Sequence, residues 1–358
     1  LPWCVAHSWR NFSRSWLEPG VMKVALTYNL KKELKEAPHL PKDFYAECDE
    51  PETVFAVRNA LAGRHGDVLM VEADEDAFEK LRRERPDIVF NMAEGLWGES
   101  RESQIPAILE MLRVPYTGSS PLTLGLCLNK ARAKEVLAYY GIPTARFVVA
   151  REGSLDIHRL LSFPMIVKPL FEGSSKGIKN DSIVEGPDEL ERKVASVLEE
   201  YSQPALVEEY LPGREFTVAL MGNGSGLKVL PLVEINYTAL PAGTKHIYSY
   251  EAKWVLDTPE APLDIFDCPA EVPERLKTAI QAVSKDAFTA LGVKDWCRID
   301  VRLDSSGLPH VIELNPLPGI LMDPKCNSCF PKAARAAGMD FSALVNGVLD
   351  AARARYGI

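Results

Sequence analysis

Arg298-Ile-Asp-Val-Arg-Leu and His310-Val-Ile-Glu-Leu-Asn-Pro-Leu-Pro-Gly both read as strands, joined by the turn Asp304-Ser-Ser-Gly-Leu. Side chains two apart on a strand share a face, so Arg298 points with Asp300 and Glu313 with Asn315. Antiparallel pairing would gather a guanidinium, two carboxylates and an amide into one patch. Oxygen ligands that are few and do not enclose the ion suit Mg²⁺ held partly by nucleotide phosphates. The competing use of these residues is a structural arginine–carboxylate network, which would leave several acids and an amide on one face repelling one another or without partners.

Two further clusters bear on a nucleotide. In Pro164-Met-Ile-Val-Lys-Pro-Leu-Phe-Glu-Gly-Ser-Ser-Lys-Gly, a buried strand carries Lys168 at its end and a Gly/Ser turn follows. Backbone N–H groups of such a turn cradle phosphate oxygens, and a strand-borne lysine adds a fixed point charge. A plain hairpin turn would use the same residues. In Leu206-Val-Glu-Glu-Tyr-Leu-Pro-Gly-Arg-Glu-Phe-Thr-Val, a strand ends in acids before a turn and a second strand starts at Glu215. An exposed strand edge hydrogen-bonds an adenine edge through its backbone, and a carboxylate such as Glu215 accepts from both ribose hydroxyls. The alternative is a charged hairpin.

The elements that must position these groups fall into three stretches. From Met22, apolar runs at 24–28, 67–71 and 88–91 alternate with helical patterns at 52–62 and 77–83, which indicates a parallel sheet covered by helices. Ligand loops gather at the carboxyl ends of such strands, so Asn91-Met-Ala-Glu-Gly-Leu-Trp-Gly-Glu-Ser-Arg-Glu is a candidate site wall. After a helix at 104–112, the Pro, Gly and Ser residues of 114–121 punctuate the chain. A small α+β unit follows, with a helix holding Lys130 and Lys134, strands at 147–150 and 165–168, and a helix at 187–201. The last unit begins with a strand at 205–209 and continues with strands at 215–221, 229–235, 298–303 and 310–313, covered by amphipathic helices at 274–291 and 341–356. The expected division is an extension at 1–21, excluded from fold reasoning, then domains at 22–120, 121–205 and 206–358. The fold class is α/β followed by α+β.

Composition narrows the partners. The 358 residues are 46% hydrophobic and 25% charged with a formal net charge of -9, which suits a globular chain of two or three domains and disfavours nucleic acid or an anionic membrane. No stretch approaches the roughly 18 apolar residues of a membrane span. Seven scattered cysteines, an odd number, point to a reducing, cytoplasmic compartment. Cys326 and Cys329 form one C-x-x-C, a redox pair or half a zinc site in principle. No second pair or nearby His completes a tetrahedral site, so they read as two unlinked thiols in a loop.

In order and spacing the three clusters resemble the ATP-grasp enzymes of the D-alanine–D-alanine ligase type, from about Asp87 to the C-terminus. The resemblance is carried by Val114-Pro-Tyr-Thr-Gly-Ser, Asn129-Lys-Ala-Arg-Ala-Lys, Ile166-Val-Lys-Pro, Glu172-Gly-Ser-Ser, Gly213-Arg-Glu-Phe-Thr-Val, Tyr250-Glu-Ala-Lys, Arg298-Ile-Asp-Val and Glu313-Leu-Asn-Pro-x-Pro-Gly. It implies an ATP-grasp fold: a parallel-sheet domain ahead of two α+β subdomains that clamp ATP. It further implies that Lys130 and Lys168 contact the nucleotide phosphates under the loop of Glu172, Ser174 and Ser175. Glu208, Glu209, Tyr210 and Leu211 would line the adenine, and Glu215 would hold the ribose. Lys253 would cover the γ-phosphate from a mobile loop, and Asp300, Glu313 and Asn315 would bind two magnesium ions, with manganese able to substitute. Arg298, Lys253 and Ser174 form the implied catalytic set. A homodimer is the family's common state.

The implied reaction is attack of a substrate carboxylate on the γ-phosphate of ATP, giving an acyl phosphate that an amine then attacks. Against this stand an ATP-grasp kinase that stops after phosphorylation and a nucleotide-binding protein without turnover. The substrate side departs from the family. The Gly/Ser-rich turn and its glutamate after the first strand are replaced by Tyr28-Asn-Leu-Lys-Lys-Glu-Leu. A His-Gly becomes Glu94-Gly95, the aromatic after the covering lysine is Trp254, and the stretch after Gly319 becomes Ile320-Leu-Met-Asp-Pro-Lys-Cys-Asn-Ser-Cys-Phe. Glu94, Arg101 and Glu102 are therefore candidate selectors of a different amino acid or carboxylate, with Gly319 and Ser328 in a second pocket. The plainer reading of the first three is a solvated charged loop.

Overall fold

The computed structural model describes residues 21–32, 40–151, 157–241, 243–257 and 262–358. The extension read at 1–21 lies outside them apart from Val21. The first layer runs β1 (Val24–Tyr28), α1 (Pro51–His65), β2 (Val68–Glu72), α2 (Ala77–Glu84), β3 (Ile88–Asn91) and α3 (Gln104–Leu112). Its strands pair in parallel, as the alternating pattern predicts, and the structure orders them β2-β1-β3. Pro51 opens α1 where no intrahelical N–H is required, and Gly66 closes it at a φ of 79°.

Two helices follow, α4 (Pro121–Leu128) and α5 (Lys130–Tyr139). Each is capped by a side chain: Ser120 accepts from the Thr123 N–H and Asn129 from the Arg132 N–H. The middle sheet is built from β4 (Phe147–Ala150), β5 (Met165–Pro169), β6 (Ile183–Val184) and, after α6 (Pro187–Tyr201), β7 (Ala205–Glu209), in the antiparallel order β4-β7-β5-β6. The strand at 205–209 thus belongs to the middle sheet, not to the last unit as the sequence reading has it. It pairs with β5 on one side and β4 on the other because its residues are buried from Ala205 to Glu208.

The third sheet comprises β8 (Glu215–Met221), β9 (Lys228–Val229), β10 (Val233–Ile235), β11 (Phe266–Asp267) and, beyond α7 (Glu274–Ala290), β12 (Trp296–Leu303) and β13 (Pro309–Asn315). Its order is β11-β10-β8-β12-β13, with β9 also on β8. The single strand expected at 229–235 is two short ones, because Pro231 has no N–H to continue the ladder. Cys127, Ala133, Leu137 and Ile142 share a core with Val218, Ile280, Phe288 and Leu314, so α4 and α5 lie against this sheet rather than within the middle unit. The chain ends in α8 (Cys329–Ala336) and α9 (Phe341–Tyr356). Leu344, Val345, Val348 and Leu349 of α9 pack with Val54, Val57 and Leu61 of α1. Among the described residues no helix is long and apolar enough to cross a membrane.

Candidate active site

The hairpin of β12 and β13 delivers the patch its spacing predicts. Asp304 Oδ1 accepts from the N–H groups of Ser306 and Leu308, which closes the connecting turn. Arg298 stands opposite Asn315 and Asp300 opposite Glu313, and the register then slips between Asp300 and Val301. Such a bulge bends a strand beside a site and re-aims its side chains. Arg298 donates through Nε to Asp300 Oδ1 and through Nη2 to Oδ2, each at 3.0 Å. Asn315 Nδ2 donates to Asp300 Oδ2 at 3.1 Å, and Lys130 Nζ lies 3.3 Å from Glu313 Oε2. Burial would raise the Glu313 carboxyl, but Lys130, Lys168 and Arg298 hold it down at about 2. The group is therefore an anion ready to receive a cation. Among the described residues no cluster of three His, Cys, Asp or Glu side chains makes a closed cation cage. Two carboxylates and an amide oxygen fit Mg²⁺, which keeps part of its shell for water and phosphate.

Across from this patch, α5 and β5 set two lysines around one acid on β7. Glu208 receives Lys134 and Lys168 at 2.6 Å each. Its carboxylate thus holds the lysines, while its backbone lies between β4 and β5 in the sheet. Glu209 turns outward to Arg146 Nη1 at 3.2 Å and the Ser162 N–H at 3.0 Å. The Tyr210 N–H is taken by Pro164 O, whereas the Leu211 N–H has no acceptor among the described residues. Glu215 accepts through Oε2 from Arg302 at 2.8 Å and from the Tyr237 hydroxyl at 2.6 Å, which leaves Oε1 for a hydroxyl-bearing ligand. Arg302 was legible: it sits at the i+4 position of the same strand face as Arg298 and Asp300.

The Gly/Ser turn after β5 has the backbone of an anion cradle. Ser174 and Ser175 adopt φ values of 49° and 61°, and their N–H groups have no acceptor among the described residues. Ser175 Oγ donates to Tyr248 O at 2.8 Å and Trp254 Nε1 to Ser174 O at 3.0 Å, so the turn is stitched to the covering segment. That segment is a single π-helical turn, Ala252–Leu256, which carries Lys253. Burial, then the neighbouring Arg298, presses the Lys253 ammonium down to about 8.

The substrate-side residues divide. Glu94 and Glu102, on the loop after β3, are half-buried and have no hydrogen-bond or ion-pair partner among the described residues. Burial first, then Glu47, raises both, Glu102 to about 8. Each feels the reacting centre: Glu94 acts on Lys253, and Glu102 on Lys130 and Glu313. Arg101 is not part of a solvated loop. Only 7% of its surface is exposed, and its guanidinium pairs with Glu47 and Glu172. Glu172 faces that pair and Gln203 Nε2, 2.7 Å away, with only its carbonyl turned to Lys130. Ser328 Oγ accepts from the Leu321 N–H and donates to Gly319 O, so it braces the second-pocket loop while Gly319 lies exposed. Cys326 and Cys329 are not joined in a disulfide, and burial pushes the Cys329 thiol up to about 11.

Sequence reasoning missed Glu47. It arrives from turns at 41–48, where no periodic pattern marks it, and meets Arg101, Lys176 and the Gly173 N–H. Lys176 sat inside the quoted Glu-Gly-Ser-Ser-Lys-Gly run, where Glu172 four residues earlier was a signal for their pairing, whereas Glu47 lies far upstream and gave none.

Comparison with known proteins bears on the same residues. The family model described as D-ala D-ala ligase C-terminus matches residues 135–350. An uncharacterized protein, y4sG, of Sinorhizobium fredii is 39% identical over 298 residues, spanning 81% of this chain and 84% of its own. The D-alanine–D-alanine ligase of Pelotomaculum thermopropionicum is 32% identical over 316 residues, 85% of this chain and 92% of that one. The crystal structure of the D-alanine–D-alanine ligase from Bacillus anthracis complexed with ATP superposes with a TM-score of 0.70 at 23% identity, covering 94% of this chain and 99% of that chain, a likeness of fold.

Proposed function

Because this chain belongs to the D-alanine–D-alanine ligase family, we propose that it is an ATP-dependent ligase joining the carboxylate of a small molecule, an amino acid, to an amine. The observation that carries this reading is the hairpin patch. A bidentate Arg298–Asp300 pair stands beside an ionised Glu313 and Asn315, with Lys130 within 3.3 Å of Glu313. A module that only bound nucleotide would have little use for a guanidinium poised beside two cation-binding acids.

In this reading Lys130 and Lys168 hold phosphate oxygens, the Ser174 and Ser175 N–H groups close over them, and Lys253 comes in from the covering turn. Asp300, Glu313 and Asn315 would hold Mg²⁺, which when bound offsets charge on the transferring phosphoryl group. The substrate carboxylate oxygen bonds to the γ-phosphorus as the bond to the ADP oxygen breaks, leaving an acyl phosphate and ADP. The amine then adds to the acyl carbon, Arg298 faces the oxyanion, and inorganic phosphate departs as the amide forms. The stitched covering segment keeps water from the acyl phosphate. Glu94 and Glu102, unpaired beside this centre, are suited to a substrate bearing an amino group.

Phosphate release from ATP and Mg²⁺, measured over D- and L-amino acids singly and in pairs with mass spectrometry of the products, tests the reading. The expected result is equimolar ADP, phosphate and amide for one pair. A phosphorylated product with ADP but no amide would replace the ligase with a kinase, and no turnover with any carboxylate and amine would remove both.

A further inference from the structure

Four charged side chains from three separate segments interlock beneath the Gly/Ser turn. Arg101 Nη2 lies 2.8 Å from Glu47 Oε2, 2.8 Å from Phe171 O and 3.2 Å from Glu172 Oε2. Lys176 pairs with both of those acids. The side chains of Glu47, Arg101, Glu172 and Lys176 are 5%, 8%, 11% and 5% exposed. Burial would raise the Glu47 carboxyl, but Lys176 and Arg101, with the Gly173 N–H, hold it at about 2. The charges alternate in sign around the cluster.

The cluster also fixes backbone. Glu47 Oε1 accepts from the Gly173 N–H at 2.5 Å and Asp43 Oδ2 from the Gly177 N–H at 3.1 Å, so both ends of the turn are pinned to the first domain. Ser174 and Ser175, between those pins, keep their N–H groups open. Arg101 is itself held from behind: Gly95 has a φ of 73°, and a Cβ there would come within 2.5 Å of Arg101 O. Only glycine lets the loop fold back this closely. Buried ion pairs add little net stability over apolar side chains of the same size, so stability alone does not account for such a cluster. Its placement does: it joins the loop bearing Glu94 and Glu102 to the turn that cradles phosphate.

We propose that Arg101 is a positioning residue that locks the substrate loop onto the phosphate turn, so that ATP is spent only in a site closed to water. The proposal rests on the ligase reading for its kinetic test. The quantity to measure is phosphate released per amide formed, with the amino acid and amine that the wild type accepts. The wild type should give equal amounts. R101M, which keeps length but neither charge nor donors, should release several-fold more phosphate than amide, because the acyl phosphate is exposed to water. R101K should restore the balance, since one nitrogen makes all three contacts and an ammonium has three donors. If R101M loses rate and melting temperature while phosphate and amide stay equal, the role is structural and the proposal falls.

Should R101M fail to fold, the double variant E47Q/R101M removes one charge of each sign and leaves the Glu172–Lys176 pair. It should leak in the same way. Hydrogen exchange across 171–178 with ATP and Mg²⁺ reads the lock without turnover. Faster exchange in R101M than in R101K is required, and equal exchange overturns the proposal even if the wild type makes no amide, an outcome that would separately dismiss the ligase reading.

Discussion

On the side proposed for nucleotide and metal most charged groups stand on strands or at a helix start: Lys168 on β5, Glu208 on β7, Arg298 and Asp300 on β12, Glu313 and Asn315 on β13, Lys130 at the head of α5, with Lys253 on its π-helical turn the exception. On the side proposed for the substrate they stand on turns: Glu47 in 41–48, Glu94 to Glu102 in the loop after β3, Gly319 to Ser328 in the loop before α8. A strand transmits its two-residue period to whatever side chains it carries, so spacing alone sets their common face. A turn has no period, and its side chains are aimed by what they meet. The strand-borne half should therefore tolerate change only at the cost of chemistry, while the turn-borne half is where selectivity and closure can be rewritten.

The sharpest way to break this contrast is Arg298→Ala. Loss of a charge donor at a developing oxyanion typically lowers kcat by about 10²–10³-fold, and the substrate KM should stay nearly unchanged. A collapse of substrate affinity with kcat intact would put Arg298 on the selecting side instead. Next, Glu47→Gln should cost roughly 3 kcal/mol in urea unfolding at neutral pH, because it leaves Arg101 and Lys176 sharing Glu172 alone. The folded Glu47 carboxyl lies near 2, below its ordinary value of 4.5, so its contribution is present above pH 4.5 and fades as pH falls toward 2. The variant should lose that part of the acid-side slope; an unaltered slope would show that Glu47 is not ionised in the cluster.

Replacing Glu94 and Glu102 together by Gln should raise KM for the amino-bearing substrate about tenfold with KM for ATP unchanged. Equal KM for substrate in the variant and wild type would return these acids to the role of a solvated loop. The smallest effect expected is in pH. Lys253 is charged below about pH 8 and neutral above, so its pull on phosphate is present at lower pH and fades as pH rises past 8. The value of kcat/KM for ATP, which reports the free enzyme, should decline on that alkaline side, and Lys253→Arg, which stays charged, should flatten the decline.

The same division governs what was legible beforehand. The parallel pairing of the first sheet and the Arg298/Asp300/Glu313/Asn315 face follow from apolar alternation and strand spacing, with no knowledge of tertiary contacts. The strand at 205–209 was seen but misplaced, since its pattern shows burial without naming the partner strand. The run at 229–235 was drawn through Pro231, whose missing N–H outweighs the apolar residues on either side. The pairing of Glu208 with two lysines was not legible, because a sequence cannot show that Lys134, far upstream, meets its carboxylate at 2.6 Å. Arg101 looked solvated for a like reason: its partners Glu47 and Glu172 come from other segments.

The packing of α9 on α1 has a bearing on synthesis. Asn346 Nδ2 donates to Ala60 O at 2.9 Å and Arg64 Nη1 lies 2.6 Å from Asp350 Oδ2, so the outer wall of the first sheet's layer is supplied by a helix 286 residues further along the chain. While the ribosome is still decoding the third sheet, Val54, Val57 and Leu61 present a bare apolar stripe to water or to a holdase chaperone. The first sheet cannot mature vectorially, ahead of the rest, but waits for two helices far apart in the chain to close on each other.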